Sequence, residues 1–255
     1  WSPLYVAHGP SREGYLRALC ELTPTAPAGT RVEYSCPGFI ALGLALERAG
    51  GADLGTLFAE LVAGPLELGE ELSFAPPAAT PVAASETRWF VEERLLAELG
   101  LAGAPPAGRD GAVPCGDGNT RGLDGTAGNA GLFGTAAAVA RLAAEYLPGG
   151  GELLTAEEAE FATRGRTEGL EQSRGIGWQL AATPGCSAGN ALPSDGFGHT
   201  GFSGTSVWVD PDSRAAYVLL GNRLHPGGRT PDLHPLRRRF HLLSSRAVRD
   251  RVGDA

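Results

Sequence analysis

Residues 197–211, FGHTGFSGTSVWVDP, set His199 among three glycines and four hydroxyl side chains, then turn into the alternating apolar pattern of a strand. Glycine has no Cβ, so Gly198, Gly201 and Gly204 could let the backbone-like atoms of a ligand come close, with exposed N–H groups available to an anion. Thr200, Ser203 and Thr205 add hydroxyls. The same residues also suit a tight bend, and the spacing alone leaves both readings open. A second chemical pattern is G-x-S-x-G, present once as GCSAG from Gly185 to Gly189, with Asp and His residues following in hydrolase order. A nucleophile elbow needs a helix directly after its serine, and here NALPSDG follows; Ser187 is therefore expected in a polar surface loop.

No metal site is expected. His8, His199, His225, His234 and His241 form no H-E-x-x-H or close pair, and Cys20, Cys36, Cys115 and Cys186 form no C-x-x-C. The cysteines are expected to be small buried side chains. Arg237 to Arg239 are consecutive, so on a helix they point in different directions and suit a solvated face or contacts with the acidic body rather than a phosphate site. The chain has no lysine, which excludes a P-loop; all 21 basic residues are arginine.

Elements that would position these groups follow from periodicity and punctuation. Ser11 with Glu13 suits a helix start, running to about Cys20. RVEYS is briefly extended. PGFIALGLALERAGG predicts a helix with Pro37 in its first turn and Gly50 at its end, apolar nearly all round and so expected to be buried. DLGTLFAELVAGPL predicts another, stopped by Gly64 and Pro65, and ETRWFVEERLLAELG a third. A long Gly-rich stretch follows, of a length usually functional or disordered. Thr135 and the Thr155/Glu158 pair mark two more helix starts. Beyond them GIGWQLAA, TSVWVD and RAAYVLLG predict short strands, the last two joined by a turn at Asp210–Ser213. The C-terminal PDLHPLRRRFHLLSSRAVRD predicts a helix with Leu236, Phe240 and Leu243 as its apolar face. Helices first and strands later indicate α+β.

The 255 residues, 42% hydrophobic and 20% charged, are globular in composition. A net charge of -8 argues against a nucleic-acid partner, because neutralising phosphates needs a concentrated positive surface. No apolar run approaches the roughly 20 residues of a membrane helix, and the first residues carry no basic-then-apolar export pattern. Trp1 is not a translation start, so location stays open between an exported and a cytoplasmic protein.

YSCPGFIALGLALE at 34–47, GDGNTRGLDGTAGNAGLFGTA at 116–136, GIGW at 175–178 and FGHTGFSGTSVWVDPDSRAAYVLLGNRLHP at 197–226 together resemble the serine β-lactamase and penicillin-binding-protein-like hydrolases, especially the class C-like, β-lactamase-related esterases. They run in family order over most of the chain. The resemblance implies an α+β, β-lactamase/transpeptidase-like fold: an antiparallel sheet flanked by helices, plus a mainly helical region. Residues 1–147 would form that helical region and 148–255 the strands and closing helix, together one incomplete domain. It also implies acyl transfer, in which a serine of S-x-x-K attacks a carbonyl and backbone N–H groups hold the oxyanion. Carried over, Tyr34 of the Y-x-N-like motif moves protons and His199 and Thr200 stand in the H-T-G motif. Ser35, Cys36, Asn129, Gly201, Phe202 and Ser203 bind substrate, the Phe202 N–H as an oxyanion donor, with the glycines lying beneath a substrate added like a strand. No cofactor is implied.

The chain departs from that family at two places. S-x-x-K is absent, and SETR at 85–88 is no substitute because a guanidinium stays protonated. The motif and the first strands are expected ahead of Trp1, so residues 1–255 alone are expected to form no acyl-enzyme and to be poorly stable. Cys36 stands where the family has Asn, and a thiol is the weaker hydrogen-bonding group. His199, with an ordinary pKa of about 6.5, would hold a carboxylate-bearing β-lactam less strongly than lysine does. The expected partner is thus a small ester or amide, with a β-lactam also open. A catalytically inactive module that binds cell-wall peptide or protein is the alternative.

Overall fold

Short polar side chains set where the helices begin. In the computed structural model, which describes residues 2–84, 89–108, 115–225 and 230–253, α1 spans Leu4–His8 and α2 spans Arg12–Glu21. The Ser11 hydroxyl accepts the Gly14 N–H at 3.0 Å, satisfying one of the donors that a helix start leaves orphaned. Ser35 does the same for α3 (Cys36–Gly50) by accepting the Gly38 N–H at 3.0 Å, and Gly51, at φ 71°, ends it in the left-handed region that favours glycine. Asp53 caps α4 (Leu54–Phe58). The next turn, Ala59–Ala63, widens to a π-helix immediately before Gly64 and Pro65, where the missing proline N–H interrupts the regular ladder.

Further along, α5 spans Phe90–Glu98 and the Gly-rich stretch contains a short α6 (Gly118–Arg121) capped by Asp117. The predicted helix start at residues 86–88 lies outside the described residues. Thr135 caps α7 (Ala136–Ala144), and Thr155 with Glu158 forms the predicted capping box of α8 (Ala156–Thr163).

Two compact units result. The first comprises Trp1–Thr25, Glu33–Gly134 and Asn222–Thr230; the second comprises Ala26–Val32, Thr135–Gly221 and Pro231–Ala255. In the first, Leu4, Tyr5, Tyr15, Ile40, Leu123 and Ala127 form the core. A small ribbon pairs β1 (Leu72–Ser73) antiparallel with β2 (Phe133–Gly134). Helix α3 buries Pro37, Ile40 and Gly43 only, while Phe39, Leu42 and Leu46 are exposed. The expectation of a helix buried all round is therefore wrong: Gly43 and the loop at Gly128 meet along a single side of α3, where a Cβ on Gly43 would come within 3.0 Å of Gly128 N.

The second unit is built on an antiparallel sheet ordered β3 (Gln179–Leu180), β4 (Phe197–Thr200), β5 (Ser206–Asp210), β6 (Ala215–Leu219). The β5–β6 turn is the predicted one: Asp210 Oδ1 accepts the N–H groups of Asp212 and Ser213, at 3.0 and 3.3 Å. Phe197, Val209, Leu180, Ala143 and Leu147 pack as its core, with Tyr146 and Trp178 edge-on to Phe197.

The long C-terminal helix, α9 (His234–Gly253), reverses the sequence expectation. Leu236 and Leu243 are more than half exposed, whereas Arg237, His241 and Ser245 are buried. These three recur every four residues and so share one helix face. Each faces a hydrogen-bonding group: Arg237 the backbone of residues 201–205, His241 the Ser206 hydroxyl at 2.8 Å, and Ser245 both the Leu242 carbonyl and the Arg249 guanidinium. Polar groups with hydrogen-bond partners can be buried where apolar ones would otherwise be expected, which a hydropathy pattern does not register, although His241 Nδ1 finds no partner among the described residues. Arg237 accordingly does not lie on a solvated face.

Candidate active site

In the first unit, the residues flagged by sequence gather at the start of α3. Tyr34 is 57% exposed and precedes the Ser35 cap; Cys36 is half-buried as the first residue of the helix. Gly128 brings the Gly-rich loop against the helix so closely that a Cβ there would lie 2.0 Å from the Phe39 carbonyl oxygen. That contact delivers Asn129. Its amide donates to Asp117 Oδ1 at 3.3 Å and its oxygen accepts from Thr120 Oγ1 at 3.3 Å. Burial pushes the Cys36 thiol's pKa up and the Asp117 carboxylate adds to the effect, while the neighbouring Tyr34 and Asn129 side chains, which favour the thiolate, oppose it. Cys36 is thus a neutral thiol near pH 7, a weak hydrogen-bonding group rather than a nucleophile.

Asp117 and Thr120 were not singled out from sequence. The signal was present as an Asp three residues before a Thr at a helix start: Asp117 Oδ1 accepts the Thr120 N–H at 2.8 Å, and the same oxygen takes Asn129. Asn119, fully buried, holds the chain start by accepting the Leu4 N–H and donating to the Ser2 carbonyl, each at 2.8 Å.

In the second unit, His199 and Thr200 end β4. Strand β3 pairs with Phe197 and Gly198 and goes no further, so the sheet on that side stops short of His199 and Thr200. On the other side β5 pairs along all four residues, with His199 opposite Val207 and Thr200 opposite Ser206. Burial holds the His199 pKa below the ordinary imidazole value; the nearby Arg174 charge adds to this, against a hydrogen bond with the Thr200 backbone. His199 is neutral at pH 7, so this strand end carries no imidazolium charge.

Residues 201–205 then close a turn: Gly201 N–H donates to the Thr205 carbonyl at 2.9 Å and Gly204 N–H to the Gly201 carbonyl at 3.1 Å. Phe202 projects at 54% exposure, and Ser203 is half-buried beside it.

The glycines here have internal reasons. A Cβ on Gly198 would fall 2.3 Å from the Val207 carbonyl oxygen and 2.4 Å from Trp208 Cδ2; on Gly201, 2.1 Å from Thr205 Oγ1; on Gly204, which sits at φ +116°, 2.8 Å from Leu233. Two of the three are seats for neighbouring side chains and the third takes a left-handed turn. Of the two readings that the sequence leaves open, ligand approach and tight bend, these contacts support internal packing and the bend.

Ser187 is corrected as well. It is 4% exposed, and its hydroxyl accepts the Trp208 indole N–H at 2.9 Å. Cys186 and Ala188 pack on the same indole. GCSAG is neither a surface loop nor an elbow; it anchors the buried tryptophan of β5. Of the cysteines, Cys115 and Cys186 are buried as expected, Cys36 is half-buried and Cys20 is exposed. Burial pushes the Cys115 thiol up to about 12.

Comparison with known proteins places this architecture. A protein of Escherichia coli O157:H7 named for D-alanyl-D-alanine carboxypeptidase activity is 32% identical over 119 residues, which are 44% of this chain and 27% of that relative. The chain thus matches little more than a quarter of the length of that curated relative. Among solved structures, EstCE1, a hydrolase with promiscuous acyltransferase activity, is 25% identical with a TM-score of 0.60, covering 90% of this chain and 61% of that one. A penicillin-binding protein homologue from Caulobacter crescentus, 19% identical with a TM-score of 0.59, covers 96% of this chain and 69% of that one, and shares the fold. These likenesses share the α+β, antiparallel-sheet fold of β-lactamases and transpeptidases. The sequence pattern of the Beta-lactamase family matches residues 2–241, nearly the whole of the 255, and the chain belongs to that family.

Proposed function

We propose that this chain is the greater part of a β-lactamase-related serine hydrolase that cleaves a small ester or amide through an acyl-serine. The nucleophile is contributed by chain outside residues 1–255, since S-x-x-K needs a lysine and none is present. Thr200 hydrogen-bonds the substrate, the Phe202 N–H takes the developing oxyanion, and Tyr34 moves the proton between serine and leaving group. The substrate-binding candidates carried by the family resemblance are Ser35, Cys36 and Asn129 in the first unit and Gly201 and Ser203 in the second. One observation carries this reading: His199 and Thr200 continue β4 past the end of β3, leaving a strand end that suits an extended substrate added in register.

The substrate preference follows from His199. A neutral imidazole offers a carboxylate less than a lysine ammonium would and leaves the nearby Arg174 as the positive charge beside His199, so we take an uncharged ester or amide as the preferred substrate over a β-lactam that depends on its carboxylate. The second reading, an inactive binding module, is favoured by Cys36, whose thiol stands where an amide would donate and accept. One experiment separates them. The full-length protein is treated with a fluorescent fluorophosphonate and assayed on a p-nitrophenyl ester and a chromogenic cephalosporin. Covalent labelling with ester turnover exceeding cephalosporin turnover is expected; absence of both labelling and turnover removes the enzyme and leaves the binding module.

A further inference from the structure

The turn that follows Thr200 is held from below by a single side chain. Arg237, in the first turn of α9 and 9% exposed, donates from Nη2 to the Gly201 carbonyl at 2.6 Å and to the Thr205 carbonyl at 2.9 Å, and from Nε to the Gly204 carbonyl at 3.3 Å. Three carbonyls within five residues therefore converge on one planar guanidinium. A trans peptide is flat, with its C=O and N–H pointing in opposite directions. Aiming the Gly201 oxygen at Arg237 consequently turns the N–H of Phe202, in the same peptide unit, to the opposite side of the turn. The Gly201 oxygen also accepts the Gly204 N–H, so two donors fix that plane. One helical turn along, His241 grips Ser206, so the chain is held again just where the turn re-enters the sheet.

We propose that Arg237 is the positioning residue for the oxyanion donor of this hydrolase: its fork of N–H groups sets the orientation of the Gly201–Phe202 peptide, and with it the N–H that meets the substrate oxygen. The inference rests on the acyl-serine reading above, because only that reading gives the Phe202 N–H a reacting atom to stabilise. Lysine cannot replace the function fully. Its ammonium is a single point of donation on a flexible stem, whereas the guanidinium presents several donors in one fixed plane. A donor left free to rotate stabilises the transition state less without weakening ground-state binding to the same degree, so the loss falls on kcat.

The test uses the full-length protein as wild type, Arg237→Lys and Arg237→Gln, with active sites titrated by fluorophosphonate so that rates are counted per competent molecule. Each is assayed on a p-nitrophenyl ester and its thionoester counterpart, whose larger sulfur fits an oxygen-shaped donor site poorly. For Arg237→Gln, kcat per titrated site is expected to fall on the order of 100-fold, the scale of losing one such donor, with KM within about threefold by the argument for a transition-state interaction. The oxo-to-thiono rate ratio is expected to fall with it. Arg237→Lys should lie between the two, and added guanidinium should restore part of the Arg237→Gln loss. A residue serving only stability would change the titrated fraction and the melting temperature while leaving the rate per site and the oxo-to-thiono ratio alone, and that result overturns the proposal. If Arg237→Gln does not fold, the Arg237→Lys ratio decides by the same criterion. A wild type that neither labels nor turns over ends the hydrolase reading and this inference together; an active wild type with unaffected variants ends this inference alone.

Discussion

Gly198→Ala distinguishes a glycine kept for packing from one kept for a ligand, because the two reasons predict opposite signs of stability change. Gly198 lies within β4, outside the left-handed backbone region, so an alanine there meets no conformational penalty. With nothing in the way, Ala would stabilise the fold by about 0.4–1 kcal/mol through the smaller entropy of the unfolded chain. The added Cβ would instead sit 2.3 Å from the Val207 carbonyl oxygen and 2.4 Å from Trp208 Cδ2. Normal contact requires more than an ångström of extra separation. Neither neighbour can yield readily: the carbonyl belongs to the paired backbone of β5, and the indole is fully buried with its N–H held by Ser187. Overpacking against such neighbours costs about 3 kcal/mol, the upper part of the usual range. At about 2–4 °C per kcal/mol for a domain of this size, the melting temperature should fall by about 6–12 °C. Scanning calorimetry of the full-length variant measures this, with Trp fluorescence reporting displacement of Trp208. A variant that melts with or above the wild type, with unchanged fluorescence, would refute the packing argument and return Gly198 to the role of a ligand-approach residue.

Ser187→Ala should destabilise by about 1–2 kcal/mol, measured by urea denaturation, because it strands the buried Trp208 N–H; ester turnover per titrated site should stay unchanged, and its loss would revive the elbow. His241 is fully buried, and burial, reinforced by the Arg237 charge, lowers its pKa to about 4 from 6.5. The unfolded chain binds the proton first, so stability from this group is complete above about pH 6.5 and is lost as pH falls towards 4, by about 3 kcal/mol at the limit. The difference in unfolding free energy between wild type and His241→Gln, followed from pH 7.5 to 4, should trace that loss; a difference independent of pH would contradict it. His199, lowered in the same direction, is present in both proteins and cancels.

Much of the local structure was legible because its causes are local. Capping at Ser11, Thr135 and Thr155/Glu158 needs partners only three residues away, and each helix starts where its cap predicts. Strand alternation and the Asp210 turn likewise depend on neighbours within a few residues. The family motifs were legible too, since each is a short run in fixed order, and the family match over residues 2–241 agrees with them.

What failed were the inferences about which faces of α3 and α9 are covered. Helix α3 is apolar nearly all round in sequence yet buries one side; α9 exposes Leu236 and Leu243 of its predicted apolar face and buries Arg237, His241 and Ser245. Burial is decided by what arrives from far along the chain. Gly128 against α3 and the 201–205 carbonyls over Arg237 are separated from their partners by roughly 30 to 90 residues, a range at which periodicity carries no information. Sequence alone therefore determined the family, the start of most helices and the identity of the chemical groups. Only the tertiary structure decided that the glycines seat an indole and a threonine, that Ser187 is an anchor, and that Arg237 hydrogen-bonds the carbonyls of the 201–205 turn, because hydrogen bonds and steric contacts depend on distance in space, which chain order does not encode.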